Sequence, residues 1–216
     1  MAIMQLNRER MHRDEMIRIA NGTNVRLQVL LAARRDLPGE AMEALRKNKD
    51  VGVRSTLARN TDNVGIHRKI AEEELSNYNN SNVRGEKDGS ASVLMNLALN
   101  SKLGAGLRKE MAGATYPIGV RWTLAGVEDA DLQFCLLRDE EWSVSNRVAR
   151  ESRIREVQLE IAKSADASLL LSLSFNSHMA PEVFKILSTH SNFHVRRSTL
   201  GNLQAAEYYA KSSSPD

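Results

Sequence analysis

Val53–Asn60 reads V-R-S-T-L-A-R-N, and the same block returns along the chain. It recurs as V-L-M-N-L-A-L-N at Val93–Asn100, V-R-W-T-L-A at Val120–Ala125 and V-S-N-R-V-A at Val144–Ala149. Two further copies are L-L-L-S-L-S-F-N at Leu169–Asn176 and V-R-R-S-T-L-G-N at Val195–Asn202, and a more divergent first copy, L-Q-V-L-L-A-A-R, occupies Leu27–Arg34. Self-similarity at a fixed period is the signature of stacked structural repeats. The central residues Leu31, Leu57, Leu97, Leu124, Val148, Leu173 and Thr199 serve as anchors. Their separations are 26, 40, 27, 24, 25 and 26 residues.

The columns around the anchor predict helices. Four positions before it stand Leu27, Val53, Val93, Val120, Val144, Leu169 and Val195. A separation of four places both apolar residues on one helical face. One position after it come Ala32, Ala58, Ala98, Ala125, Ala149, Ser174 and Leu200, small in six of seven copies, which lets neighbouring helices approach closely. Three after it, Asn60, Asn100, Asn176 and Asn202 are read as helix stops, because asparagine tolerates a left-handed backbone. Apolar residues then resume at helical spacing, as in Leu107–Met111 and Val183–Leu187. Each unit is thus two short helices whose apolar faces need stacked neighbours to be buried.

The pattern V-R-x-x-L-A-x-N followed by a second apolar helix resembles the leucine-rich repeat variant family. That resemblance spans roughly residues 24–209. It implies an all-α fold, a right-handed α-solenoid of about seven short two-helix repeats related in design to HEAT-like arrays. The expected organisation is an N-terminal capping helix over 1–22, the solenoid over 23–211 and a disordered tail over 212–216. The 40-residue separation predicts an insertion loop at about 75–90, L-S-N-Y-N-N-S-N-V-R-G-E-K-D-G-S, which is poor in apolar residues.

Composition narrows the function classes. The 216 residues are 42% hydrophobic and 26% charged, with a net charge of +3. Both signs are interspersed, unlike the clustered excess of a dedicated nucleic-acid binder. The single cysteine, Cys135, excludes an internal disulfide and is expected on the buried face of its helix. No secretory segment or membrane-length apolar run is visible, so the expectation is a cytoplasmic protein without membrane partners. His190 and His194 lack a carboxylate at metal-binding spacing, and Gly104–Gly106 is turn chemistry without a preceding strand, so neither a metal nor a cofactor is expected.

Two features escape the repeat. Arg54, Arg121 and Arg196 share one column, three before the anchor. They either brace neighbouring units, Arg54 through Asp50, or form a ladder that Arg147 and Arg197 extend along a phosphate backbone. In the insertion, Tyr78, Arg84 and Lys87 are candidate binding residues. The leading expectation is a non-catalytic scaffold binding a protein or peptide on its concave surface. The alternative is a DNA- or RNA-binding solenoid using the arginine ladder and the insertion loop. Less favoured is an enzyme resembling HEAT-like DNA glycosylases, with Trp122 and Trp142 as aromatic walls and Asp129 or Asp139 as the acid.

Overall fold

The structure, a computed structural model, describes residues 11–212. All regular structure there is helical: α1 Arg13–Ala20, α2 Val25–Ala32, α3 Gly39–Arg46, α4 Val51–Asn60, α5 Val64–Asn80, α6 Arg84–Ala98, α7 Ala105–Met111, α8 Ile118–Ala125, α9 Ala130–Leu136, α10 Trp142–Glu151, α11 Arg155–Ala162, α12 Ala167–Ser174, α13 Pro181–Ser188, α14 Phe193–Gly201 and α15 Leu203–Ser212. They pack as two compact units, Met1–Met111 and Ala112–Asp216, where the repeat reading drew one array over 23–211. Within the first unit α2, α4 and α6 stack in one layer and α1, α3 and α5 in the other. Within the second, α8, α10, α12 and α14 form one layer and α9, α11, α13 and α15 the other. No described helix is long and apolar enough to cross a membrane.

The repeat columns dictate this packing. All seven anchors are fully buried, and so is the small column after them from Ala32 to Ser174. Thr199 replaces an aliphatic anchor because its hydroxyl donates to Val195 O at 2.9 Å within its own helix, which satisfies the polar group it buries. Leu200 breaks the small column and is exposed; among the described residues no further first-layer helix packs against α14. Helix starts are set seven residues before the anchor. There the side chains of Asn24, Asp50, Asp166 and Asn192 accept hydrogen bonds from first-turn amides, each worth about 1 kcal/mol.

The asparagines do not act as left-handed stops, since no described residue other than glycine has positive φ, and no glycine does either. They act between repeats instead. Asn100 Nδ2 donates to Ala58 O and Thr61 O, both at 2.8 Å. Asn176 Nδ2 donates to Ala149 O at 3.1 Å and Ser152 O at 2.8 Å. Asn202 Nδ2 donates to Ser174 O and Asn176 O at 3.1 and 2.9 Å. The accepting carbonyls lie at or just past the end of the preceding first-layer helix, where intrahelical donors run out. Where a copy lacks the asparagine, a glutamine makes a comparable contact: Gln133 of the second layer takes Val127 O just past α8, and Gln28 on α2 takes Ala20 O at the end of α1. Asn60 is the exception, its amide returning to Thr56 O of its own helix.

The predicted loop at 75–90 is helical. The extra residues lengthen α5 to 17 residues and α6 to 15, joined across residues 81–83. Polar composition does not end a helix already nucleated on a buried face, because propagation costs far less than nucleation. Gly89 permits the approach of α6 to α4; a Cβ there would stand 3.1 Å from Val51 Cγ2. The capping helix is described only from Arg13, where it packs on α2 and α3; residues 1–10 lie outside the described residues. At the other end α15 includes Ser212, and the expected tail at 213–216 lies outside them as well. Cys135 is exposed, not buried, because the short α9 turns Leu132, Gln133 and Leu136 inward instead.

Two outcomes test this packing. Asn176→Ala leaves Ala149 O without its donor, while Ser152 O keeps Gln158 Nε2 at 2.7 Å, an expected loss of about 1–3 kcal/mol in urea unfolding, whereas Asn60→Ala is expected to cost under about 1 kcal/mol. Equal losses would remove the inter-repeat role. The second concerns pH. Hydrogen bonds from Lys69 and then Arg46 hold the Glu43 carboxyl below its usual value of 4.5. A depressed carboxylate stabilises above its unfolded pKa and loses that contribution as pH falls through the folded value. The stability gap between wild type and Glu43→Gln is therefore expected to persist at pH 6–7 and close below about pH 4.

Candidate binding face

The arginine column turns inward. Arg54 Nε donates to Glu74 Oε1 at 2.6 Å, and its Nη1 donates to Asn48 O and Lys49 O at 2.8 and 3.1 Å. Arg196 Nη1 repeats that geometry on His190 O and Ser191 O. Arg121 is 6% exposed and pairs with Asp139, whose side chain is 3% exposed. Arg54 and Arg196 sit in the first turns of their helices and fold back over the connection that precedes each, whereas Arg121 reaches the connection between α9 and α10. The expected partner Asp50 instead caps α4 by accepting from Val53 N. Asp129 likewise caps α9 by accepting from Leu132 N at 3.0 Å. Both acids considered for catalysis are thus engaged within the fold.

The insertion residues lie in the other unit. Lys87 Nζ sits 5.5 Å from the centroid of the Tyr78 ring, joining α5 to α6. Arg84 is almost wholly exposed, 3.8 Å from Asp88 one turn on. These three belong to the first unit, whereas Arg121, Arg147, Arg196 and Arg197 belong to the second.

Within the second unit the outward side of α8, α10, α12 and α14 carries a different constellation. Trp122 and Phe175 are 43% and 55% exposed. Arg147 lies with its guanidinium carbon 3.6 Å from the Trp122 ring centroid, a cation–π contact worth about 0.5–1 kcal/mol at an exposed site. It is fixed there by donating to Trp122 O and Glu151 Oε2, both at 2.8 Å. Gly126 makes room for this arrangement, since a Cβ would meet Arg147 Nη2 at 2.7 Å. Arg150 faces Phe175 at 5.8 Å.

A depression of about 410 Å³ holds Trp122, Arg147, Arg150 and Phe175. A second, of about 690 Å³, holds Phe175, His194 and Arg197. They share Phe175 and Ser177, so together they form one continuous trough across the first layer. Neither Arg150 nor Arg197 has a carboxylate in ion-pairing distance among the described residues. Sequence reasoning singled out Arg147, Arg197 and Trp122 but passed over Phe175. The signal was the column two after the anchor, where Arg59, Leu99, Arg150 and Phe175 stand; two residues correspond to about 200° of helical rotation, which is the side opposite the core.

Arg121→Met is expected to destabilise by about 3–5 kcal/mol, because it strands a buried Asp139 carboxylate, and Arg121→Met/Asp139→Leu to recover much of that loss. A ligand-contacting arginine would instead show little change in thermal or urea unfolding.

No family profile and no curated protein matches the chain. Among solved structures it is similar to one described as a leucine-rich repeat variant with a novel repetitive protein structural motif. The two share 18% sequence identity at a TM-score of 0.54, over 89% of this chain and 72% of that one. The likeness is one of fold, and it agrees with the architecture that the recurring V-R-x-x-L-A-x-N block implies.

Proposed function

We propose that this protein is a non-catalytic repeat scaffold that binds a protein or peptide partner on the exposed side of α8, α10, α12 and α14. The observation that carries this reading is the continuous trough of exposed aromatic rings and arginines from Trp122 to Arg197. Aromatic and arginine side chains are the groups that dominate binding energy at protein interfaces. A helical-repeat fold suits such a role, since stacked units present extended surfaces. The nucleic-acid alternative needs outward guanidiniums in register along a backbone. Arg54, Arg121 and Arg196 donate to their own chain, which favours the peptide reading. That reading places the protein in the cytoplasm, in keeping with an exposed, unpaired Cys135.

Selection from a randomised peptide library on the immobilised full chain tests this. Enriched peptides are expected to lose affinity at least about tenfold, near 1.4 kcal/mol, on Phe175→Ser or Trp122→Ala, and to be unaffected by Arg84→Ala. Failure to enrich any peptide, together with single-stranded or duplex DNA binding of steep salt dependence, would overturn the reading.

A further inference from the structure

We infer that the occupant of the trough is an extended acidic peptide, with two carboxylates six residues apart and an apolar side chain midway between them. This rests on the scaffold reading above and deepens it. The inference comes from the order of side chains across the first layer. Arg150 lies on α10, Phe175 at the end of α12 and Arg197 on α14, and these helices are consecutive neighbours. Packed helices stand about 8–10 Å apart. An extended chain in the polyproline II conformation advances about 3.1 Å per residue with three residues per turn, so three residues span one helix-to-helix step and return to the same face. A segment laid across the layer therefore presents residue i to Arg150, i+3 to Phe175 and i+6 to Arg197.

The chemistry of the three positions fixes the pattern. The guanidiniums at each end have no carboxylate of their own among the described residues, whereas the trough's glutamate is already taken, since Glu151 pairs with Arg147. Glu128, in a neighbouring depression, lies 3.6 Å from Arg153. The ring between them is open to solvent and accepts an apolar side chain. Asn146, Ser177 and Gln204 line the same depressions and offer polar groups to a peptide backbone, as an extended ligand requires. Charge density decides against nucleic acid here. A polynucleotide carries a phosphate at every step, and it would pass Glu151 with only two uncommitted arginines, two helices apart.

The test uses the full-length chain and three fluorescein-labelled ten-residue peptides in a serine–threonine background, read by anisotropy at low salt. One has Glu at positions 2 and 8 with Leu at 5; the second clusters the glutamates at 4 and 6; the third replaces both by Gln. The spaced peptide is expected to bind at least about tenfold more tightly than either control, with the difference shrinking as salt rises. Arg150→Ala/Arg197→Ala is expected to abolish that advantage and Phe175→Ser to weaken all binding. All three side chains are exposed, so unchanged thermal unfolding separates lost contact from lost fold. Equal binding of spaced and clustered peptides overturns the inference. If library-selected peptides still depend on Phe175 in that case, the scaffold reading stands and only the acidic spacing fails. A single-stranded oligonucleotide that binds more tightly and displaces the spaced peptide overturns both.

Discussion

The amide clamp between repeats is the interaction on which the rest of the structure depends. Each short first-layer helix ends with carbonyls that have no donor of their own, and a stack of such helices buries them. Leaving one unpaired costs roughly 1–3 kcal/mol, so every copy needs a donor delivered from elsewhere. Asn100, Asn176 and Asn202 supply it from the next first-layer helix, and Gln133 and Gln158 from the second layer, while Gln28 on α2 closes the end of α1. Because each amide reaches two carbonyls in a fixed geometry, it sets the registration of one repeat on the next. The small column beside it follows from the same constraint, since the amide reaches backbone only where Ala58, Ala149 and Ser174 keep the helices close.

The arginine column extends this logic from helix ends to the connections between helices. Arg54 and Arg196 each tie down the two carbonyls that precede their helix, and Arg54 also neutralises a buried Glu74. Their positive charge is thereby spent inside the fold. What remains for recognition is the opposite side of the helices, where Arg147 is held flat against Trp122 and Arg150 and Arg197 stand apart. Fixing Arg147 by three contacts orders that surface before any partner arrives, which lowers the entropy lost on binding.

The fold was legible because its determinants are local and repeated. The anchor is buried in every copy, and the aliphatic column four before it in all but Leu27 and Leu169, as a helical period requires. The site was less legible. The column two after the anchor contains arginine, leucine, glycine and phenylalanine, with no repeated type to draw attention to it. Cys135 shows the same difficulty in reverse: an apolar neighbourhood in sequence predicts burial, yet α9 is so short that its inward face is filled by Leu132, Gln133 and Leu136. At 75–90, composition predicts a loop, and helix continuation from a buried face overrides it.

The sequence by itself determined that the chain folds as stacked helical pairs and which repeat columns form the core. Spacing within ten residues is enough for those conclusions, because helical periodicity is a property of the local backbone. Only the tertiary structure decided what the asparagines and arginines do, since partners such as Asp139 for Arg121 and Ala58 for Asn100 lie 18 and 42 residues away and are defined by packing. It also decided the trough, because Trp122 and Arg197 stand two before their anchors and Phe175 two after its own, and they meet only when successive helices are laid side by side.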